Sequence, residues 1–490
     1  MVSKSDFARR PSRGEWGLVV LFFAAWALFG LVVEKRGAFM HRRMGDLGCY
    51  LRAGYAVRRG GDHLYDYVCD NGWHYNYPPL FGILMAPLAD PPARDLSASG
   101  AGALGLLGTP GGAGPLLAAS ALAANPTPLG PDAPPTVPYL PYPVSVAVFY
   151  IFSLLCLAFA VHVLASALER SSRWPEVRDG PAGTRRWWGL RIWPVLICLP
   201  PIGHTLVRGQ ANLLLLALIC GLTAAVIRGR HFRAGLYLAG AICLKIFPAY
   251  LLLVPLWRRD GRCLAGCAAG LFVGLALVPA LCFGPARAVK RYEELAQVLV
   301  GPALRVGGDQ TRAKELIEVT ATDSQSFLAT LHNTLHLDRA SRPNEASPLV
   351  RRAHLALVAL FTLLTLAAAR RRPEPGPGVN FFVGALTVVM VLASPVCHTH
   401  YFTLSLPLVM GLLAREWERR GSTDVGWGLL ALFALQLAGN ILPLLPVFEV
   451  LKDAGLAMYT ALALWLAACV LLWRRPRPSA GEGGRLPLAA

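Results

Sequence analysis

Apolar residues along this chain gather into blocks of about membrane length, separated by short polar or basic loops. Such blocks run at 17–33, 142–168, 190–205, 211–227, 263–284, 350–369, 379–396, 400–414, 427–446 and 455–473. Each predicts a helix suited to a hydrocarbon core about 30 Å thick, at a rise of ~1.5 Å per residue. The block at 234–256 differs from the rest, because clusters at Arg228–Arg233 and Arg258–Arg262 flank both its ends and Lys245 sits at its midpoint. A charge at the bilayer centre costs about 2.5–3.5 kcal/mol on insertion scales, so a lysine there marks a site. Both ends share one side if the block is a helical hairpin with arms of about 11 residues, each rising roughly 17 Å. Lys245 then occupies the tip, and Pro248 breaks the helix just after it. The pattern predicts an all-α polytopic membrane bundle of about ten spans plus a re-entrant hairpin.

Basic loops orient the bundle. With the amino terminus inside, 170–191, 228–233, 258–262, 370–372, 415–420 and 474–477 all fall on the cytoplasmic side, as retention of Lys and Arg requires. The expected organisation is a cytoplasmic tail at 1–16, a transmembrane unit at 17–473 and a second cytoplasmic tail at 474–490. Two long segments then lie outside, 34–141 and 284–349. The first is charged and aromatic up to Pro87; from 91 to 138 it becomes a Gly-, Ala- and Pro-rich tract that reads as a flexible insertion without chemistry. The first block follows Arg9, Arg10 and Arg13, but no small-residue cleavage site follows it, which predicts a retained anchor rather than a signal peptide.

Composition sharpens this picture. Hydrophobic residues make up 54% of the chain and charged residues 16%, which disfavours a soluble protein of several domains. The net charge of +18 is concentrated in loops beside apolar blocks, where anionic lipid accounts for it better than nucleic acid does. Most of the cysteines lie inside apolar blocks and read as packing residues, and Cys263 and Cys267 have no histidine near them. Cys49 and Cys69 share an outer loop, where a bridge between them stays open. No cofactor is expected, no compact metal-ligand set appears, and a requirement for a divalent ion stays open.

Candidate chemistry collects on the outer side. Asp46 opens a short helix read as lying along the membrane surface with Tyr50, Gly54 and Val57 on one face. The carboxylate suits either an N-cap or a general base, and the two roles are compatible. Asp62 and Asp66 are the next carboxylates in that loop. Arg208-Gly209-Gln210-Ala211-Asn212 forms a tight outer turn, whose amides suit sugar hydroxyls and whose guanidinium suits phosphate, although an ordinary turn with an interfacial Arg has the same form. Gln325-Ser326 and the run from Ser394-Pro395 to His398, His400 and Tyr401 add polar groups on that side. Two histidines two positions apart hold a metal only with added ligands, so hydrogen bonding to substrate or an interfacial anchor role is expected of them.

These pieces occur in a particular order: Asp46 with Tyr50 and Ala53, Gly60 to Tyr65, Tyr77-Pro78-Pro79-Leu80, Gly209-Gln210-Ala211-Asn212, Gly240 with Leu244-Lys245 and Pro248, Gln325-Ser326, then Ser394-Pro395 with His400. The ordered set resembles glycosyltransferase family 87, polyprenyl-phosphate-dependent mannosyl- and related transferases of the GT-C fold. The resemblance runs from Asp46 to about Pro407, and departs from the family at the 91–138 insertion and at Ser324, where an Asn is common. It implies a bacterial inner-membrane hexosyltransferase that moves mannose, another hexose or a pentose from a polyprenyl-phosphate carrier to a lipid or glycan acceptor at the outer face. Asp46 falls at the position of the family's base. Lys245 and Arg208 are candidates for the donor phosphate, and Tyr50, Tyr65, Tyr77, Gln210, Asn212, Gln325, His398 and His400 for the sugar and acceptor. The competing class is a transporter or lipid-linked sugar flippase, which also uses an intramembrane cation and a broken helix. The one-sided placement of the polar groups counts against it.

Overall fold

The computed structural model describes residues 9–40, 45–69, 72–92, 138–304, 315, 319–320, 324–369 and 376–474. Among these no strand forms, and the architecture is a helical membrane bundle. The helix Arg13–Glu34 starts on a capping box, with Ser12 Oγ accepting from the Glu15 amide and the Glu15 carboxylate accepting from the Ser12 amide.

Among the described residues six helices are long and apolar enough to cross a membrane: Arg13–Phe39, Tyr142–Arg170, Gly261–Phe283, Pro348–Ala368, Trp427–Leu444 and Leu456–Trp473. A seventh span is available if Arg185–Ile197 and Leu199–Arg208, bent by 67° at their junction, count as one. This is fewer than the ten drawn from the sequence. The blocks at 211–227 and 379–396 form the shorter helices Asn212–Ile227 and Pro377–Ala393. At ~1.5 Å per residue such helices fall a few ångströms short of a ~30 Å core. They do not need to face lipid, because other helices surround them, and almost all their side chains are buried. The block at 400–414 divides into the 3₁₀ segment Thr399–Ser405 and the helix Leu406–Arg420.

The chain leaves the helix His231–Leu244 at Lys245, passes through Phe247–Leu252 and Leu253–Arg258, and comes back beside its start, where Asp260 Oδ2 lies 2.5 Å from His231 Nδ1. The following helix then runs parallel to His231–Leu244, with Gly266 against Phe232 at one end and Gly274 against Cys243 at the other.

The described parts of the basic loops gather at one end of the bundle. Arg185 meets Arg9 and Glu15, Arg173 donates to the Glu418 carbonyl, Arg228 donates to the Val163 carbonyl, and Trp257 Nε1 donates to the Ala369 carbonyl. At the other end the helix Gly45–Arg58 is packed into the protein, with every residue from Leu47 to Ala56 buried. That corrects the expectation of a helix resting on the membrane surface. Gly54 sits so close to Met85 that an added Cβ would lie 2.5 Å from its carbonyl oxygen, so its backbone packs directly onto the helix Pro79–Met85. A Cys49–Cys69 disulfide ties this helix to the following loop. Closing a loop of 20 residues in this way is worth about 3 kcal/mol through the unfolded state.

Candidate functional site

Three helix ends and one loop meet at the end opposite the arginine-rich loops. Arg208 closes the helix Leu199–Arg208, and Gly209 follows in the left-handed region at φ 67°. A Cβ at Gly209 would lie 2.5 Å from that of Leu47, so only glycine lets this turn approach the helix that carries Asp46. The result is a direct ion pair, with Arg208 Nε 3.0 Å from Asp46 Oδ2 and both side chains partly exposed. Gln210 and Asn212 point the other way, into the bundle.

Lys245 comes to them from its own helix break, where the backbone is extended (φ −141°, ψ 138°). Its Nζ donates to Asn212 Oδ1 at 2.9 Å and to Gln210 Oε1 at 3.3 Å. The ammonium also faces the rings of Tyr401 at 5.0 Å and Tyr77 at 5.3 Å, an arrangement that stabilises a desolvated cation. Lys245 is 3% exposed, and among the described residues no carboxylate pairs with it. Tyr50 completes the junction by donating to Gln210 Oε1 at 2.9 Å, with Tyr77 Oη 3.1 Å away.

A cavity of about 360 Å³ opens over this junction, lined by Asp46, Tyr50, Tyr77, Arg208, Gln210, Lys245, His398 and His400 among others. Asn212 is buried behind it, bridging Lys245 to the His400 carbonyl. Tyr65 is buried too and donates to the Tyr77 carbonyl. The His400 ring stacks with Tyr401 at 4.9 Å and lies 5.2 Å from His398, and both its nitrogens are buried without hydrogen-bond partners among the described residues. Gln325 lies elsewhere, in a second cavity. Asp62 pairs with Arg291 and Asp66 with His63, so the two reserve carboxylates are engaged outside the first cavity. Among the described residues no group of three or more His, Cys, Asp or Glu side chains gathers closely enough to hold a metal ion.

Sequence reasoning missed a second carboxylate in the cavity. Glu315 receives His74 Nδ1 at 2.7 Å and Asn76 Nδ2 at 2.9 Å, joining the two long segments between spans across the opening. His74 and Asn76 flank Tyr75, directly before Tyr77, so proximity to that motif was the available signal for them. Glu315 has none, since its partners lie 241 and 239 positions away.

The family described as Glycosyltransferase family 87 matches residues 75–395, well over half of the chain. Arg208, Gln210, Asn212, Lys245 and Gln325 fall inside that stretch, whereas Asp46 precedes it and His398 and His400 follow it. A polyprenol-phosphate-mannose-dependent alpha-(1-2)-phosphatidylinositol mannoside mannosyltransferase from Mycobacterium tuberculosis is 27% identical over 333 residues, covering 64% of this chain and 68% of that protein. The protein of the same name from Mycolicibacterium smegmatis is 38% identical over 97 residues, 19% of this chain and 22% of that one.

Proposed function

The chain belongs to glycosyltransferase family 87, and on that premise we propose that it transfers mannose from a polyprenyl-phosphate carrier to a lipid-linked mannoside acceptor at the outer face of a bacterial inner membrane. The donor and the acceptor class follow the names of its mycobacterial relatives. The observation that carries the reading is the convergence of Asp46, Arg208 and Lys245, from three separate elements, on one cavity at the end of the bundle away from the basic loops.

A polyprenyl-phosphate sugar keeps its tail in lipid and its phosphate at the interface, so its enzyme must reach it from within the membrane. Breaking the bond between the anomeric carbon and the phosphate oxygen builds positive charge on the sugar and negative charge on the leaving phosphate. Cations fixed at that phosphate lower the barrier, and Arg208 and Lys245 supply them. Asp46 takes the proton of the attacking acceptor hydroxyl, and direct displacement inverts the anomeric centre. The ion pair sets an order of events: a donor phosphate arriving at Arg208 competes with the Asp46 carboxylate and frees it to accept the proton. Tyr50, Tyr77, Gln210, His398 and His400 surround the sugar, and Asn212 and Tyr65 hold them from behind. In this reading residues 231–260 form a re-entrant hairpin that presents Lys245, and both chain termini lie in the cytoplasm.

Purified protein in lipid, offered radiolabelled polyprenyl-phosphate mannose, arabinose or glucose with membrane extract, should transfer label from the mannose donor. Movement of intact donor across the bilayer without transfer would instead establish the flippase class. Orientation is tested with single cysteines on a background lacking the free thiols. An impermeant reagent should reach Ser341→Cys from outside the cell and Asp179→Cys only after permeabilisation, and the reverse pattern would overturn the assignment of the outer face.

A further inference from the structure

A second cavity, of about 220 Å³, lies behind one wall of the first and contributes nothing to the chemistry above. The wall is the pairing of residues 324–326 with 395–397. Gln325 N donates to the Cys397 carbonyl at 2.6 Å, Cys397 N donates to Ser324 Oγ at 2.9 Å, and Ser326 Oγ donates to the Pro395 carbonyl at 2.9 Å. Val396 and His398, on either side of Cys397, face the first cavity, while Ser324 and Gln325 face the second. Across the second cavity stands Asp453, which receives Arg339 Nε at 2.6 Å and Arg342 Nη2 at 3.1 Å. Gln325 Nε2 donates to the Lys452 carbonyl at 2.5 Å, fixing that amide in place.

Two buried groups here are left incomplete. Gln325 is 1% and Asn333 7% exposed, and among the described residues the side-chain amide oxygen of each has no hydrogen-bond partner. A buried acceptor left unpaired is costly, and it is tolerated where a ligand completes it. Two carbonyl oxygens call for donors, and hydroxyl groups are donors. A phosphodiester, which offers only acceptors at neutral pH, would leave both oxygens unmet and would compete with Asp453 for the arginines. A sugar ring supplies hydroxyl donors to the amide oxygens and hydroxyl acceptors to Arg342.

We propose that this cavity is a glycan-anchoring subsite, which holds one sugar residue of the acceptor while that acceptor's reacting hydroxyl enters the first cavity. The proposal rests on the glycosyltransferase reading and adds that the acceptor is an extended glycan rather than a single sugar on its lipid. Binding is read first, in a form of the protein that cannot turn over: Asp46→Asn protein in nanodiscs, with mannobiose and mannotriose followed by saturation-transfer NMR. Saturation transfer is expected and should be lost on adding Asn333→Ala, while adding Asn333→Asp, which keeps an acceptor oxygen, should preserve it. In the otherwise wild-type enzyme, Asn333→Ala should raise KM for an extended mannoside acceptor about tenfold with kcat changed less than about threefold, and Asn333→Asp should recover most of the loss. An unchanged KM and undiminished saturation transfer in a well-folded Asn333→Ala protein would overturn the subsite while leaving the transferase reading intact. A wild-type enzyme that transfers no sugar from any donor would overturn that reading, and the oligosaccharide binding experiment would still decide whether the cavity holds a glycan.

Discussion

The two ends of this bundle handle buried charge in opposite ways. At the basic end, Arg191 bonds to both oxygens of Glu169 on a neighbouring helix at 2.8 and 3.0 Å, and Glu416 receives Arg419 and Arg420 of its own helix. At the cavity end Lys245 is more deeply buried than any of these, yet it is held by two neutral amide oxygens and aromatic faces. Removing one member of a matched pair strands its partner, so such a pair contributes to holding the bundle. A cation cradled by neutral groups keeps its charge uncancelled, available to an incoming anion. The Asp46–Arg208 pair stands between these cases, partly exposed at the cavity mouth, where a ligand can replace either partner.

The comparison is most easily broken at Asp46. Asp46→Asn should leave the fold and the Cys49–Cys69 bridge in place while lowering turnover about 10²–10⁴-fold, the range expected for a positioned base. Near-normal label transfer would move the role to another group, and Glu315 is the next carboxylate in the cavity. Lys245→Met should lower kcat/KM for the polyprenyl-phosphate donor about 10–100-fold without loss of thermal stability, because it removes a costly buried charge and keeps the bulk. Lys245→Arg should recover only part of that loss, since a planar fork fits the amide cradle poorly. If donor affinity is unchanged in folded Lys245→Met protein, the cation serves the hairpin and not the ligand. The smallest effect on chemistry belongs to the other end. Arg191→Met, which strands Glu169, should destabilise the protein by a few kcal/mol, roughly 3, seen as a lower melting temperature, with kcat per folded molecule unaltered. A large fall in kcat there would erase the distinction between the two ends.

Several parts of the site were legible because their signals are local. Lys245 stands out against the apolar block around it, and Arg208 to Asn212 read as one turn because Gly209 interrupts two helical stretches. Asp46 was found as the carboxylate beside the first span. Gln325 was assigned to the same group, yet it faces the second cavity, because the backbone pairing at Cys397 turns its side chain away from Lys245. The burial of the helix Gly45–Arg58 also escaped sequence reasoning: with three charged residues and five glycines or alanines it has little amphipathic pattern, and its close approach to Met85 depends on the absence of a Cβ at Gly54.

Hydropathy and charge order alone therefore determined that this chain is a helical membrane protein, where its basic loops fall, and which charged residues stand apart from their surroundings. Those properties follow from the cost of placing polar groups in hydrocarbon, which acts residue by residue. Only the tertiary structure decided which apolar blocks form long continuous helices and which form short buried ones, which amides hold Lys245, that Glu315 closes the cavity with His74, and that a second polar cavity lies behind the first. Each of these depends on contacts between segments tens to hundreds of positions apart, and neither the period nor the composition of any single segment records its partner.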